Sequence, residues 1–291
     1  MKISSASIGS ITAAFSLAFV ASATVPGVSR ADDLQEIRER GFVRGVTANE
    51  QPYGYIASDG KAAGIGPDVA TAVLNKLGIE KIEWTVVAFD GLIPGVKANR
   101  FDFSAAEQAI RPERCKQVVF SETTSSYTVG LLVKAGNPKK LHGLEDVAAN
   151  PGTKLAQLAG AVELLADEYE IPRSDRVYIQ SASDAIPSLV AGRADAYIAT
   201  ELTVAGLAKL SSDVEAAEMK SAPMLDGKPY RNYGAFTFRP EDKEFIAAFN
   251  SALADFKKTD EYEKILLSYG LTKASVEAAR NGSTESLCSS Q

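Results

Sequence analysis

Short runs rich in branched apolar residues alternate with amphipathic stretches along most of the chain, and that alternation predicts strands followed by helices. A helix over 32–40 leads into a strand over 43–48. Pro67 then opens a helix whose buried stripe is Val69, Val73, Leu74 and Leu77, and Gly78 stops it. A strand over 82–89, a helix over 91–99 and a strand over 101–105 complete the first half. The second half repeats the scheme with strands over 154–158, 176–180 and 194–199 and helices over 162–169 and 183–192. Such alternation predicts an α/β fold with parallel sheets covered by helices on both faces.

One segment recurs almost literally: Ile93-Pro94-Gly95-Val96-Lys97-Ala98-Asn99-Arg100-Phe101-Asp102 matches Ile186-Pro187-Ser188-Leu189-Val190-Ala191-Gly192-Arg193-Ala194-Asp195. A long period seen twice describes two similarly wound domains rather than a solenoid; chance similarity of two helix-to-strand corners is the alternative. Between the halves, 127–135 is a β-rich run ending at Asn137-Pro138, and 235–239 reads as a further strand. Phe245, Ala248, Phe249, Ala252, Leu253 and Phe256 then form one helical stripe, and Tyr262, Ile265, Leu266 and Tyr269 another. The length of 291 residues agrees with two domains.

The amino terminus changes the compartment. Residues 1–31 carry only Lys2 and Arg30 as charges, and the apolar run over 8–20 is short for a membrane span. It reads as a secretory signal, with cleavage after Ala31 preferred over Ala23, the uncleaved anchor being the alternative. Its removal takes away two positive charges, so the formal charge of −6 becomes −8. That balance argues against a nucleic-acid partner. A single histidine, His142, and two cysteines leave too few ligands for a zinc site, and no cofactor or metal is expected. In an exported chain, Cys115 and Cys288 read as a disulfide or as two inert buried thiols. If they pair, the last helices return to the first domain and the chain crosses between domains twice, which makes a hinge.

Ligands of such sheets bind at the carboxyl ends of the strands. Those ends present Asn49, Glu50 and Tyr53, then Phe89 and Asp90, then 107–114. Arg114 suits bidentate capture of a carboxylate, or else a surface ion pair with Glu113 or Glu122. Tyr53 and Phe89 suit the face of a planar cation, or simply the core. Glu50 and Glu107 resemble a glycosidase pair only superficially, because a neighbouring Arg114 is expected to keep both ionised. Gly64-Ile65-Gly66 lacks the third glycine of a dinucleotide fingerprint, His142 reads as a solvated loop residue, and 123–126 read as turn or capping groups.

Gly64-x-x-Pro67-Asp68-Val69-Ala70, the repeated Ile-Pro corner, Arg111-Pro112-Glu113-Arg114 followed by Val119-Phe120-Ser121, and Ala191-Gly192-Arg193-Ala194-Asp195-Ala196 resemble the polar amino-acid group of periplasmic solute-binding proteins. The resemblance covers nearly the whole chain after the signal. It implies a two-lobed periplasmic binding protein of the type II, Venus-flytrap kind with a double-crossover hinge. Lobe 1 would comprise 32–128 plus 233–291 and lobe 2 would comprise 129–232. It further implies a monomer in the periplasm that binds a small zwitterionic ligand and serves an inner-membrane ABC permease.

Within that group, the run from Ala48 to Tyr53, Pro112-Glu113-Arg114-Cys115 and the terminal Leu287-Cys288 look most like the ectoine/hydroxyectoine-binding proteins. That likeness implies Glu50 facing a ring cation, Tyr53 and Phe89 stacking on it, Arg114 holding its carboxylate, and a Cys115–Cys288 bond. Departures matter as well. Thr200 stands where amino-acid binders carry an aspartate, Ala109 replaces an aromatic of the ectoine binders, Glu107 replaces a glycine, and Ala161-Val162 replaces a Gly-Thr pair. These changes shift the expectation towards a larger or more cationic relative of ectoine, such as a betaine or a modified basic amino acid. An enzyme resembling cyclohexadienyl dehydratase, with Glu107 as general acid, is the rival. A receptor sensor domain is disfavoured, since no membrane helix is expected after Cys288. Binding without catalysis leads, because the crevice offers charge and rings but no nucleophile with its base.

Overall fold

The first sheet takes its strands from two distant stretches of sequence. The computed structural model describes residues 33–289 and Met1; the secretory signal expected over 1–31 lies, from residue 2 on, outside the described residues. This sheet runs Ile82–Val86, Val43–Thr47, Phe103–Ala109, Asn232–Phe238 and Val119–Phe120, with Ser125–Tyr127 also paired to Asn232–Phe238. The second sheet runs Arg176–Ile179, Leu155–Leu158, Ala196–Thr200, Val129–Lys134 and Val214–Ala216. Both place a second, first and third local strand side by side in parallel. Both then add an antiparallel strand, Asn232–Phe238 on Phe103–Ala109 and Val129–Lys134 on Ala196–Thr200.

The all-parallel expectation is therefore corrected to mixed sheets. Each antiparallel strand adjoins a crossing between the sheets: one follows Ser125–Tyr127 after the single residue Thr128, and the other returns the chain before the final helices. A strand that crosses directly has no helix to reverse it, so it enters its new sheet antiparallel. Strand direction leaves no trace in a hydrophobic pattern.

Helices cover both sheets. Lys243–Phe256 lays Phe245, Phe249, Leu253 and Phe256 against Phe103, Phe236 and Phe238. The Phe236 and Phe249 rings meet edge-on at 4.9 Å between centroids. Burying each such ring stabilises by about 1.5–3 kcal/mol, so this stripe dominates the first core. The helix carrying Pro67 spans Ile65–Lys76 and ends at Gly78, which takes φ +74, while Leu77 is only partly buried. The second sheet is packed separately on each face, with Leu131, Val133, Leu155 and Leu165 in one cluster and Leu132, Leu189, Tyr197 and Val204 in the other.

Several predicted boundaries move. The strand expected over 82–89 ends at Val86, and a 3-10 turn carries Phe89–Gly91. The strand expected over 101–105 is Phe103–Ala109, buried along its whole length between two neighbours, so Glu107 lies inside it rather than beyond its end. Residues 123–126 are fully buried rather than turn groups: Thr123 donates to the Ala279 carbonyl at 2.6 Å, and Thr124 and Ser125 donate to Glu107. The helix Glu201–Leu210 has no counterpart among the predicted elements. Cys115 and Cys288 are bonded with their Cα atoms 5.7 Å apart, which fastens the helix Thr284–Ser289 to the short helix Pro112–Cys115. No helix among the described residues is long and apolar enough to cross a membrane.

Candidate functional site

A cavity of about 40 Å³ lies where loops and strand ends of the two sheets face each other, and Glu50, Tyr53, Phe89, Glu107, Arg114, Val162 and Thr200 all line it. The structure thus brings these seven candidates together, whereas Asn49 and Asp90, also read at strand ends, do not line the cavity.

Glu50 and Tyr53 sit on a tight turn after the first strand. Glu50 and Gly54 exchange backbone hydrogen bonds of 2.9 Å, and the Gln51-Pro52 peptide is cis. The turn is held from behind by the Ile65 and Gly66 N–H groups, which donate to the Pro52 and Tyr53 carbonyls at 3.0 and 2.8 Å. A side chain at Gly66 would strike the Ala105 carbonyl, and Gly64 takes φ +118 against Tyr53. Gly64-Ile65-Gly66 therefore serves close backbone approach under the turn. From the second sheet's side, the Thr203 hydroxyl reaches Glu50 Oε1 and the Gln51 carbonyl, each at 2.9 Å. Burial pushes the Glu50 carboxyl up to about 7, and the Thr203 hydrogen bond pulls back only in part.

Arg114 is 6% exposed and lies on the one-turn helix opened by Pro112. Its guanidinium donates to the Ala109 carbonyl at 2.8 Å and, across the cleft, to the Gly160 carbonyl at 2.5 Å. The Phe89 ring lies under it, 5.6 Å from Cζ to the ring centroid. Among the described residues it forms no ion pair; Glu113 and Glu122 do not bind it. Burial, with Arg111 nearby, lowers its pKa to about 10, so it stays charged at neutral pH. A buried guanidinium with only carbonyl acceptors is an incomplete anion site.

Glu107 takes φ +49, and its Oε2 accepts from Thr124 at 2.7 Å and Ser125 at 2.5 Å. Burial pushes its carboxyl up to about 6, with the two hydroxyls opposing. Arg114 pairs with neither glutamate, so the expectation that it keeps both ionised is corrected: desolvation, not a cation, dominates both carboxyls.

Thr200 caps the helix Glu201–Leu210, its Oγ1 accepting from the Thr203 N–H at 3.2 Å, and Val162 caps the helix Glu163–Glu168 with its backbone alone. The remaining wall contains residues that the sequence reading passed over. Tyr127 packs its ring 4.9 Å from that of Tyr53 and donates to the Glu107 carbonyl at 2.6 Å. Tyr197 is fully buried, and its hydroxyl has no hydrogen-bond partner among the described residues. Arg111 donates to the Tyr230 hydroxyl, which donates in turn to Asn232 at 2.6 Å. Arg111 shares the motif of Arg114 and carried that signal; Tyr127 and Tyr197 read as ordinary strand core. His142 lies, as read, in a loop, with its Nδ1 3.0 Å from the Glu218 carbonyl.

Residues 42–272 match the family described as bacterial extracellular solute-binding proteins, family 3. A probable amino-acid ABC transporter periplasmic-binding protein of Sinorhizobium fredii is 44% identical over 285 residues, spanning 97% of this chain and 93% of that protein. An L-arginine-binding protein of Pseudomonas aeruginosa is 27% identical over 228 residues, 76% of this chain and 84% of that one. The crystal structure of EhuB in complex with hydroxyectoine aligns with a TM-score of 0.81 at 30% identity, covering 89% of this chain and 100% of that chain.

Proposed function

The chain belongs to the bacterial extracellular solute-binding proteins, family 3, and from that premise we propose that it captures a small carboxylate-bearing zwitterion of the ectoine type between two lobes. It is a solute-binding protein of the amino-acid ABC class, and its relatives are binding proteins rather than enzymes. Such proteins deliver their ligand to a membrane permease, and the relatives' extracytoplasmic placement supports assigning this chain to the periplasm. We assign 32–128 with 233–291 to one lobe and 129–232 to the other, following the crossing beside Thr128 and the return of the chain to the first sheet along Asn232–Phe238.

The observation that carries the reading is Arg114: a buried guanidinium that borders the cavity and meets only carbonyl oxygens. In the proposed complex the ligand carboxylate takes its open donors, the delocalised cation faces Glu50, and Tyr53 supplies an aromatic wall. Phe89 would act through the guanidinium it underlies, holding its plane. Contacts from both lobes would favour the closed arrangement over an open one.

Calorimetric titration with ectoine and hydroxyectoine tests this. Arg114→Ala should weaken binding by on the order of 100-fold, about 3 kcal/mol for stripping one partner from a buried charge pair. Retention of parental affinity in that variant would refute the carboxylate clamp.

A further inference from the structure

We propose that the free oxygen of Glu107 is a second cation-binding point of this cavity, so that the ligand carries two cationic N–H groups besides its carboxylate. This rests on the reading of the cavity as a zwitterion site and, within it, favours a ligand with a second cationic group over ectoine itself.

The local structure is built around this one carboxylate. Glu107 is 1% exposed, in the middle of a buried strand, with a backbone conformation that a side chain other than glycine rarely takes. Gly234 of the opposing strand, paired with Ala109, leaves room for that side chain: a Cβ on it would lie 2.6 Å from Glu107 Oε2 and collide with Ser125 Oγ. Thr124 and Ser125 donate to Oε2 and thereby fix the plane of the carboxylate. Oε1 is buried and has no partner among the described residues, on a side chain that lines the cavity.

A purely structural carboxylate would have both oxygens satisfied, because an orphaned acceptor bears its full desolvation cost. Neither nearby cation fills the place: Arg111 donates to Tyr230, and Arg114 to main-chain carbonyls. A ligand with one carboxylate and one delocalised cation would satisfy Arg114 and Glu50 and leave Glu107 Oε1 stranded. A second ammonium or amidinium would donate to it. With its carboxyl at about 6, Glu107 is mostly ionised at neutral pH, in the state that attracts such a group.

The test titrates ectoine against ornithine, a diamino monocarboxylate, in the parent protein and in Glu107→Gln, with a thermal melt as the folding control. The parent is expected to bind ornithine at least tenfold more tightly than ectoine. Glu107→Gln, which keeps an acceptor for Thr124 and Ser125, should lose at least tenfold more affinity for ornithine than for ectoine. A parental preference for ectoine overturns the inference, and so does an equal effect of the substitution on both ligands. If Glu107→Gln does not fold, the parental preference alone decides. Arg114→Ala separates the two readings: loss of both ligands there, with no Glu107 discrimination, sinks only the second cation point, whereas full binding without Arg114 sinks the zwitterion site itself.

Discussion

Asp102 and Asp195 hold the same bond in the two sheets: each carboxylate accepts from the backbone N–H that precedes the paired segment of the neighbouring strand, Arg44 at 2.7 Å and Lys154 at 2.8 Å. Each returns its own N–H to the carbonyl of that same residue, at 2.9 and 2.8 Å. The preceding turns also match, with Arg100 donating to Gly95 and Arg193 to Ser188, after Asn99 at φ +56 and Gly192 at φ +69. The repeated decapeptide is thus one structural corner used twice, once per sheet.

The two aspartates differ in burial, and their costs should differ accordingly. The Asp102 side chain is 3% exposed and binds Arg40 and Arg44 at 2.5 and 2.6 Å, whereas Asp195 is 27% exposed and meets Lys139 at 2.8 Å. Asp102→Ala strands two guanidinium groups that are only partly able to turn to water, and should cost about 3 kcal/mol. Asp195→Ala should cost about 1 kcal/mol, the backbone hydrogen bond plus a screened ion pair. Urea unfolding of both variants checks this, and equal losses would contradict the burial argument.

Removing the disulfide should act on both stability and the end of the chain. Its sequence separation of 173 residues corresponds to about 5 kcal/mol in the chain-entropy model. The helix Thr284–Ser289 buries no residue fully and is otherwise fastened chiefly by Thr284 donating to the Ser121 carbonyl and by the partly buried Leu287. Cys115→Ala with Cys288→Ala should therefore lower the unfolding free energy by about 3–5 kcal/mol and abolish hydrogen-exchange protection over 284–289. Protection that survives there would show that packing, not the bond, secures the terminus.

The ligand-free protein should gain stability on mild acidification from its two buried glutamates. Both carboxyls are raised, Glu50 to about 7 and Glu107 to about 6. Folding therefore favours the protonated forms; that contribution is complete below the unfolded value near 4.5 and is lost as pH rises through 6 and 7. The groups facing them, Thr203 on one side and Thr124 and Ser125 on the other, are hydroxyls that do not titrate in this range. While one group titrates, the slope is about 1.4 kcal/mol per pH unit. Denaturant unfolding of the parent and of Glu50→Gln/Glu107→Gln from pH 4.5 to 8 should show the difference between them falling with pH. A pH-independent difference would mean that neither carboxyl is displaced.

Much of this architecture was legible because burial on one face writes a period into the sequence. The helix Lys243–Phe256 follows its phenylalanine stripe, and Glu50, Tyr53 and Arg114 were readable as residues just past strand ends. Glu107 was read at a strand end, but the strand Phe103–Ala109 runs four residues past the predicted end and takes it inside. Thr124 and Ser125 looked like turn formers because hydroxyl residues usually are; only tertiary pairing reveals that they hold a carboxylate. Tyr197 and Tyr127 are indistinguishable in sequence from core aromatics, and they are core except at the hydroxyl or the cavity-facing edge.

Thr200 offers a gain-of-function test of the ligand's orientation. Its hydroxyl caps the helix Glu201–Leu210 and the residue lines the cavity, so any replacement must serve both roles. Aspartate satisfies the first, being as good an N-cap as threonine and favoured by the helix dipole. It also adds to the cavity wall a carboxylate able to take an α-ammonium group. Thr200→Asp should therefore melt within a few degrees of the parent and bind an ordinary α-amino acid such as glutamine at least tenfold more tightly, about 1.4 kcal/mol. Thr200→Val should lose about 1 kcal/mol of stability with the cap and gain no affinity. Calorimetry on the three proteins decides the matter: an aspartate variant that is stable yet no better for glutamine would place the ligand's amino end away from this helix.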